Sequence, residues 1–315
     1  VWGGLLADAA AGRLRPLYLS NGEFDLAEAP VPRFDLLDPE RYNRLTVQTQ
    51  RGCPWHCEFC ASSILLTPRY KVKPAARVAS EIKAIKEVWA KPFVEFADDN
   101  TFVNKHHGRD LMEAIGNEGV RCFTETDVSV ASDPGLLTMM KQAGCAEILV
   151  GLESPTGAGL DGVELKRNCK RDQLSRHAEA IETIQSHGIA VNACFVLGLD
   201  GDGPEVFDAV EAFVTATTPF DVQITVLTPF PGTPLYRRLR DSGRILHDGA
   251  WELCTLFDVN VRPRRMTVAQ LEAGLVGLGR RLYSDEATKR RRAGFKDHWR
   301  AGARARHPIS LGGAS

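Results

Sequence analysis

Three cysteines fall within eight residues, Cys53, Cys57 and Cys60, in the run Arg51-Gly-Cys-Pro-Trp-His-Cys-Glu-Phe-Cys60. Thiolates are soft ligands, and one short loop can bring three of them to a single metal centre without help from distant parts of the chain. A structural zinc site is normally closed by four protein ligands, usually as two pairs. The sequence offers no second Cys-x-x-Cys and no His-x-x-x-His to complete such a set. Three readings are open: an iron–sulfur cluster that leaves one iron free for a ligand, a zinc loop with His56 as fourth ligand, and reduced structural thiols. His56 adjoins Cys57, so shared chelation would be strained, and the cluster ranks first.

Carboxylates recur just after apolar runs. Asp98 and Asp99 follow Phe96-Ala97 and precede Asn100. Carboxylates there can accept charge-assisted hydrogen bonds from a bound ammonium group, which are roughly twice as strong as neutral ones. An Asx-turn capping the segment after Thr101 is the plain structural alternative. Glu125 and Asp127 share a face by strand alternation, and Glu153 follows Val150-Gly151-Leu152, with a salt bridge to Lys166 or Arg167 as its bland explanation. The run Leu197–Gly203 is glycine-rich but fits neither Gly-x-Gly-x-x-Gly nor the P-loop. Cys122, Cys145, Cys169, Cys194 and Cys254 have no metal spacing and read as small hydrophobes, Cys254 less securely because it lies beyond the repeating region. Adjacent His106 and His107 would point about 100° apart on a helix and are expected at the surface.

The elements that must position these groups alternate. Strand-like runs at Leu45–Gln50, Phe93–Ala97, Arg121–Asp127, Glu147–Leu152, Ala190–Leu197 and Val222–Leu227 are separated by helical patterns, the signature of a parallel sheet with crossover helices. Ser80–Trp89 sets Ile82, Ile85, Val88 and Trp89 on one face. Asp133-Pro134 is an N-cap followed by proline at the first helical position. A helix over Arg171–His187 should stop at Gly188. In parallel barrels the chemistry gathers at the carboxyl ends of the strands, where the cysteine loop and the carboxylates fall. Residues 21–41, rich in Pro, Asp and Glu, suit an extended linker. After Gly243 come a basic run, Arg262–Thr267, and an amphipathic helix starting near Val268, expected to pack across the barrel. A basic cluster from Lys289 to Arg306 reads as a solvated terminal helix.

The 315 residues, 43% hydrophobic and 25% charged, are ordinary for a globular chain, and no segment approaches the roughly 18 apolar residues of a spanning helix. The net charge of −1 supplies no global field for nucleic acid or membranes. Eight cysteines without a signal-peptide pattern point to a reducing, cytoplasmic setting.

The spacing Cys-x3-Cys-x2-Cys, with Phe59 before the last cysteine, resembles the signature of the radical S-adenosylmethionine (SAM) enzymes. Asp98-Asp99-Asn100 resembles the second-strand motif of the cobalamin-associated members, and Gly151-Leu152-Glu153-Ser154 the fourth-strand Gly-x-Glu-Ser. Val196 and Gly198 match part of the fifth-strand Gly-x-Ile-x-Gly-x-x-Glu, although Cys194 and Gly201 depart from it. The run from Thr228 through Pro229-Phe-Pro-Gly-Thr-Pro-Leu-Tyr236 resembles the segment after the last strand. The order Trp251, Phe257, Pro263, Met266-Thr267, Leu271 resembles the extension of a branch that includes hopanoid-lipid methylases.

The resemblance implies an α/β fold, a partial (β/α)6 TIM-like barrel with a mainly helical C-terminal extension. It divides the chain into an upstream remnant and linker at 1–44, a core at 45–240 and an extension with a basic tail at 241–315. It implies a [4Fe-4S] cluster on Cys53, Cys57 and Cys60, and SAM contacts from Phe59, Asp98, Asp99, Glu153, Val196 and Thr228. The implied reaction is reductive SAM cleavage to a 5′-deoxyadenosyl radical. Methyl transfer from cobalamin to an unactivated carbon would follow in the cobalamin-using members. A flavodoxin or ferredoxin would donate the electron, and a small molecule or lipid would be the substrate. Gly12–Tyr18 resembles the tail of a corrinoid domain, whose body is expected upstream of Val1. A tRNA-modifying methylthiotransferase-like enzyme and a non-catalytic zinc module are the alternatives, and nucleic-acid binding is not expected from the charge.

Overall fold

Apolar side chains alternate along short β-branched runs, and these become strands because each strand can then bury one face against helices while the other lines an interior. The computed structural model describes residues 1–19, 24–62 and 69–306; the expected linker's first residues and the end of the tail lie outside that range. The strands are β1 (Leu45–Val47), β2 (Gln50–Arg51), β3 (Lys71–Val72), β4 (Phe93–Phe96), β5 (Arg121–Thr126), β6 (Cys145–Glu153), β7 (Ala190–Leu197) and β8 (Asp221–Val226). Six of them form one sheet in the order β1-β4-β5-β6-β7-β8, every pairing parallel. With β1 and β8 at its two edges, the sheet is an open, partial (β/α)6 barrel. The first strand is shorter than the sequence pattern suggests. Gln50 and Arg51 leave the sheet to pair antiparallel with Lys71 and Val72.

The helices are α1 (Trp2–Ala10), α2 (Ala75–Val88), α3 (Lys105–Gly116), α4 (Pro134–Gln142), α5 (Gly157–Leu160), α6 (Cys169–Asp172), α7 (His177–Ser186), α8 (Val206–Thr217), α9 (Pro234–Asp241), α10 (Val268–Leu282) and α11 (Asp285–Arg306). On α2, Val78, Ile82 and Ile85 recur at helical spacing and are fully buried. Asp133 caps α4 by accepting from the Leu136 N–H, and Thr267 opens α10 in a reciprocal capping box with Gln270. The main core lies between sheet and helices, with Ile148, Val150 and Leu152 of β6 and Val191, Ala193 and Phe195 of β7 on that face.

Four expectations change. The helix read over Arg171–His187 is broken into α6, a 3-10 turn at Leu174–Arg176, and α7; at the start of α6 the Lys170 N–H donates to Glu164 at 2.8 Å and the Lys170 side chain to Glu153. The 21–41 stretch is no loose linker where it is described: 3-10 turns at Leu26–Glu28, Phe34–Leu36 and Pro39–Arg41 bury Leu26 and Phe34. His107 is buried, with only His106 exposed. Helix α10, expected to pack across the barrel, packs against α8 and β8 at one edge of the sheet.

Candidate active site

The carboxyl ends of the strands surround a cavity of about 260 Å³. Along each strand it is the face turned away from the helices that lines it: Glu125 of β5, Leu149, Gly151 and Glu153 of β6, Cys194 and Val196 of β7, Gln223 and Thr225 of β8. Cys53, Cys57 and Cys60 all open onto it. Their loop is held from both sides. Cys57 bridges Glu164, the Glu58 N–H donates to the Val163 carbonyl at 2.9 Å, and the Leu235 N–H donates to the Glu58 carbonyl at 3.1 Å. Arg238 clamps the loop's outer edge, donating through Nε to Glu58 at 3.0 Å and through Nη1 to Asp200 at 2.6 Å.

Burial pushes the Cys53 thiol up to about 11 and the Cys57 thiol up to about 12. For Cys57 the nearby Lys170 cation works in the opposite direction without overcoming desolvation. The Asn100 amide Nδ2 lies 4.0 Å from the Cys53 sulfur. Among the described residues no three His, Cys, Asp or Glu side chains converge closely enough for a single metal ion. A four-iron cluster makes a smaller demand, since each thiolate takes a different iron. Three thiols around one cavity, with a side-chain amide beside one of them, fit such a cluster better than a zinc ion.

The two adjacent aspartates part company. Asp99 lines the cavity and accepts from the Gly52 N–H at 3.0 Å. Asp98 does not line it: its carboxylate is buried and accepts from the Thr49 and Gln50 N–H groups, at 2.8 and 3.0 Å, and from the Thr49 and Thr101 hydroxyls. The expected ammonium contact from Asp98 therefore gives way to a fastening role at the end of β1. Phe59, Glu153, Val196 and Thr228 all line the cavity.

Glu153 sits at φ +64°, where the register with β7 shifts between Gly151 and Glu153. This left-handed turn is costly for a residue with a Cβ, and it points the carboxylate into the lumen. Its partner is Lys170, at 2.8 Å, and not Lys166 or Arg167, which are exposed. Burial lowers the Lys170 ammonium's pKa, but the Glu153 carboxylate and Cys57 outweigh it and the net shift is upward. A Cβ at Gly151 would meet Glu153 Oε1 at 2.7 Å and Lys170 Nζ at 3.5 Å, so the ion pair occupies the space that this glycine leaves.

Sequence reasoning missed Lys170, Trp55 and Gln223 and gave Asp127 too little weight. Asp127 accepts from the Trp55 indole at 2.9 Å and the Asn100 amide at 2.8 Å, which ties the cysteine loop to β5. Cys194, expected to be a buried hydrophobe, faces the lumen. Period-2 alternation along β6 and β7 could have placed it there, whereas nothing local distinguishes Lys170. Cys122 and Cys145 are buried in the core as expected.

The model of the radical SAM superfamily matches residues 47–214. The chain is 28% identical over 250 residues to the hopanoid C-2 methylase of Rhodopseudomonas palustris (strain TIE-1), covering 78% of this chain and 47% of that protein. It is 24% identical over 306 residues to the bacteriochlorophyllide d C-12(1)-methyltransferase of Chlorobaculum tepidum (strain ATCC 49652 / DSM 12025 / NBRC 103806 / TLS), covering 95% and 66%. Its fold is similar to that of TsrM from Kitasatospora setae, a radical SAM methyltransferase solved with cobalamin and a [4Fe-4S] cluster. That likeness has a TM-score of 0.59 at 18% identity and covers 84% of this chain and 62% of that one. The chain thus spans about half to two thirds of the length of these proteins.

Proposed function

The chain belongs to the radical SAM superfamily, and we propose that it is the catalytic region of an enzyme that cleaves SAM reductively at a [4Fe-4S] cluster on Cys53, Cys57 and Cys60. We take methyl transfer to an unactivated carbon as its overall reaction. The observation that carries this reading is the convergence of all three thiols on one cavity that also holds the Glu153–Lys170 pair. When bound, the cluster and SAM supply the electron transfer and the radical that starts the chemistry.

The chain's own residues bind, orient and exclude water. Asn100 stands beside the Cys53 sulfur, where a donor tunes a thiolate ligand. The Lys170 ammonium suits the carboxylate of SAM, Asp99 suits its ammonium group, and Glu153 suits ribose hydroxyls. Phe59, Val196 and Thr228 flank the remainder. Residues 45–240 make up the catalytic body in this reading, with 1–44 and 241–315 as flanking parts. Cobalamin, which the structural relative carries, would be held mainly by a domain outside these residues. The electron would come from a flavodoxin- or ferredoxin-type donor, and the substrate would be a small molecule or lipid.

No described helix is long and apolar enough to cross a membrane, and the free cysteines suit a reducing cytoplasm. The methylase relatives favour this reading over a tRNA-modifying enzyme or a zinc module.

Anaerobic reconstitution should load roughly one four-iron cluster per chain and release 5′-deoxyadenosine from SAM under reduction. Cys57→Ala should lose both. A variant that kept its iron and still cleaved SAM, or a colourless wild type with stoichiometric zinc, would sink the assignment.

A further inference from the structure

The stretch Trp251–Asp258 lies outside the repeating strand and helix pattern, yet one of its residues reaches the cavity. Leu256 lines it and sits at φ +70°. An L-residue other than Gly, Asn or Asp pays roughly 1–2 kcal/mol for that conformation. Strain of this kind persists only where the surroundings over-determine it.

Here they do. The Thr255 hydroxyl donates to Asp258 at 2.6 Å and accepts from the Phe257 and Asp258 N–H groups, both at 3.1 Å. The Leu256 carbonyl then accepts from the Val226 N–H at 2.8 Å, which fastens the turn to the end of β8. A glycine would relieve the strain, but only a side chain fills this part of the lumen.

The cavity is polarised. Asp99, Asn100, Glu125 and Asp127 enter from β4 and β5, on the β1 half of the sheet. The β8 edge carries no charge: Gln223, Thr225 and Thr228 line it together with Val226, Leu227, Phe230 and Leu256. Trp251 and Phe257, on the same segment as Leu256, are exposed. A charged substrate group would find no counter-charge on this side, and an apolar one would gain by covering Phe230 and Leu256.

We propose that Leu256 is a specificity-determining residue, and that the substrate presents an apolar ring or chain to the β8 side of the cavity. This rests on the preceding reading of the cavity as the catalytic site. The charged groups of the cavity are then left to the cofactors, and the extension after the barrel selects the substrate.

The neutral fluorophore N-phenyl-1-naphthylamine, titrated into reconstituted protein with S-adenosylhomocysteine present, tests the wall directly. Wild type should bind the probe. Leu256→Asn, which tolerates the left-handed backbone but is polar, should weaken binding by about tenfold, as the loss of one buried apolar side chain implies. Leu256→Gly, which keeps the turn and removes the side chain, should weaken it similarly and guards against misfolding of the first variant. Iron content should match wild type in both. Probe binding unchanged in both variants, displacement of the probe by S-adenosylhomocysteine, or iron lost from both variants would overturn the inference. Failure of the cluster reading shows separately, as absence of iron from wild type, and the probe titration is then read on the iron-free protein.

Discussion

Glu125 is the group at which the lumen's charge is most exposed to test. Desolvation by the barrel walls, and then the carboxylates of Glu95, Asp99, Glu153 and Asp98, push its carboxyl up to about 7. Water reaches it through the open mouth, so screening reduces the free energy involved. The direction is still fixed. The folded chain holds a proton that the unfolded chain releases near its ordinary, lower pKa, so the stabilisation is complete at low pH and is lost as pH rises through about 7. Glu125→Gln should therefore gain in melting temperature relative to wild type between pH 5 and pH 8 in the cluster-free protein. A difference that stayed flat with pH would contradict the placement. The thiols of Cys53 and Cys57 add a second consequence, because ligation needs thiolates and burial favours thiols, so cluster loading must release protons.

At the scale of elements, Asp98 and Asp99 show how a strand end divides two identical side chains. They are neighbours of the same chemistry, and the turn after β4 sends one into the β1 terminus and the other to the lumen. Asp98→Ala would strand the Thr49 and Gln50 N–H groups and two hydroxyls, at a cost of about 1–3 kcal/mol or more. The measurable outcome is a lower melting temperature together with faster iron loss, since the cysteine loop starts two residues beyond Gln50. An Asp98→Ala protein as stable as wild type would show that this fastening contributes nothing. The six strands were legible because buried faces impose alternation and β-branched residues suit it. The pairing of α6 with β6 was not legible, because it is made by a side chain, Lys170, reaching across to Glu153. Lys166, Arg167, Lys170 and Arg171 lie within six residues, and only the turn of α6 decides which cation meets Glu153.

Over the whole molecule, α11 is more than a solvated basic helix. Phe295 packs edge-on against Phe220 at 5.2 Å, Arg292 covers the Phe220 ring at 3.7 Å, and buried Arg291 donates to the Leu282 carbonyl at 2.5 Å. The helix lies against α7 and β8 at the end of the barrel away from the cavity. Ending the chain after Ser284 should lower the melting temperature by on the order of 5 °C or more, given the aromatic burial lost. An unchanged melting curve would mean that the helix only rests on the surface. By itself the sequence determined the cysteine loop, the parallel alternation and the carboxylates at strand ends, because each is a local pattern of residue type and spacing. Only the tertiary structure decided that Asp98 faces away, that Lys170 pairs with Glu153 and that Leu256 enters the lumen. Those assignments depend on which way a side chain turns and on what a distant segment brings beside it, and local spacing carries neither.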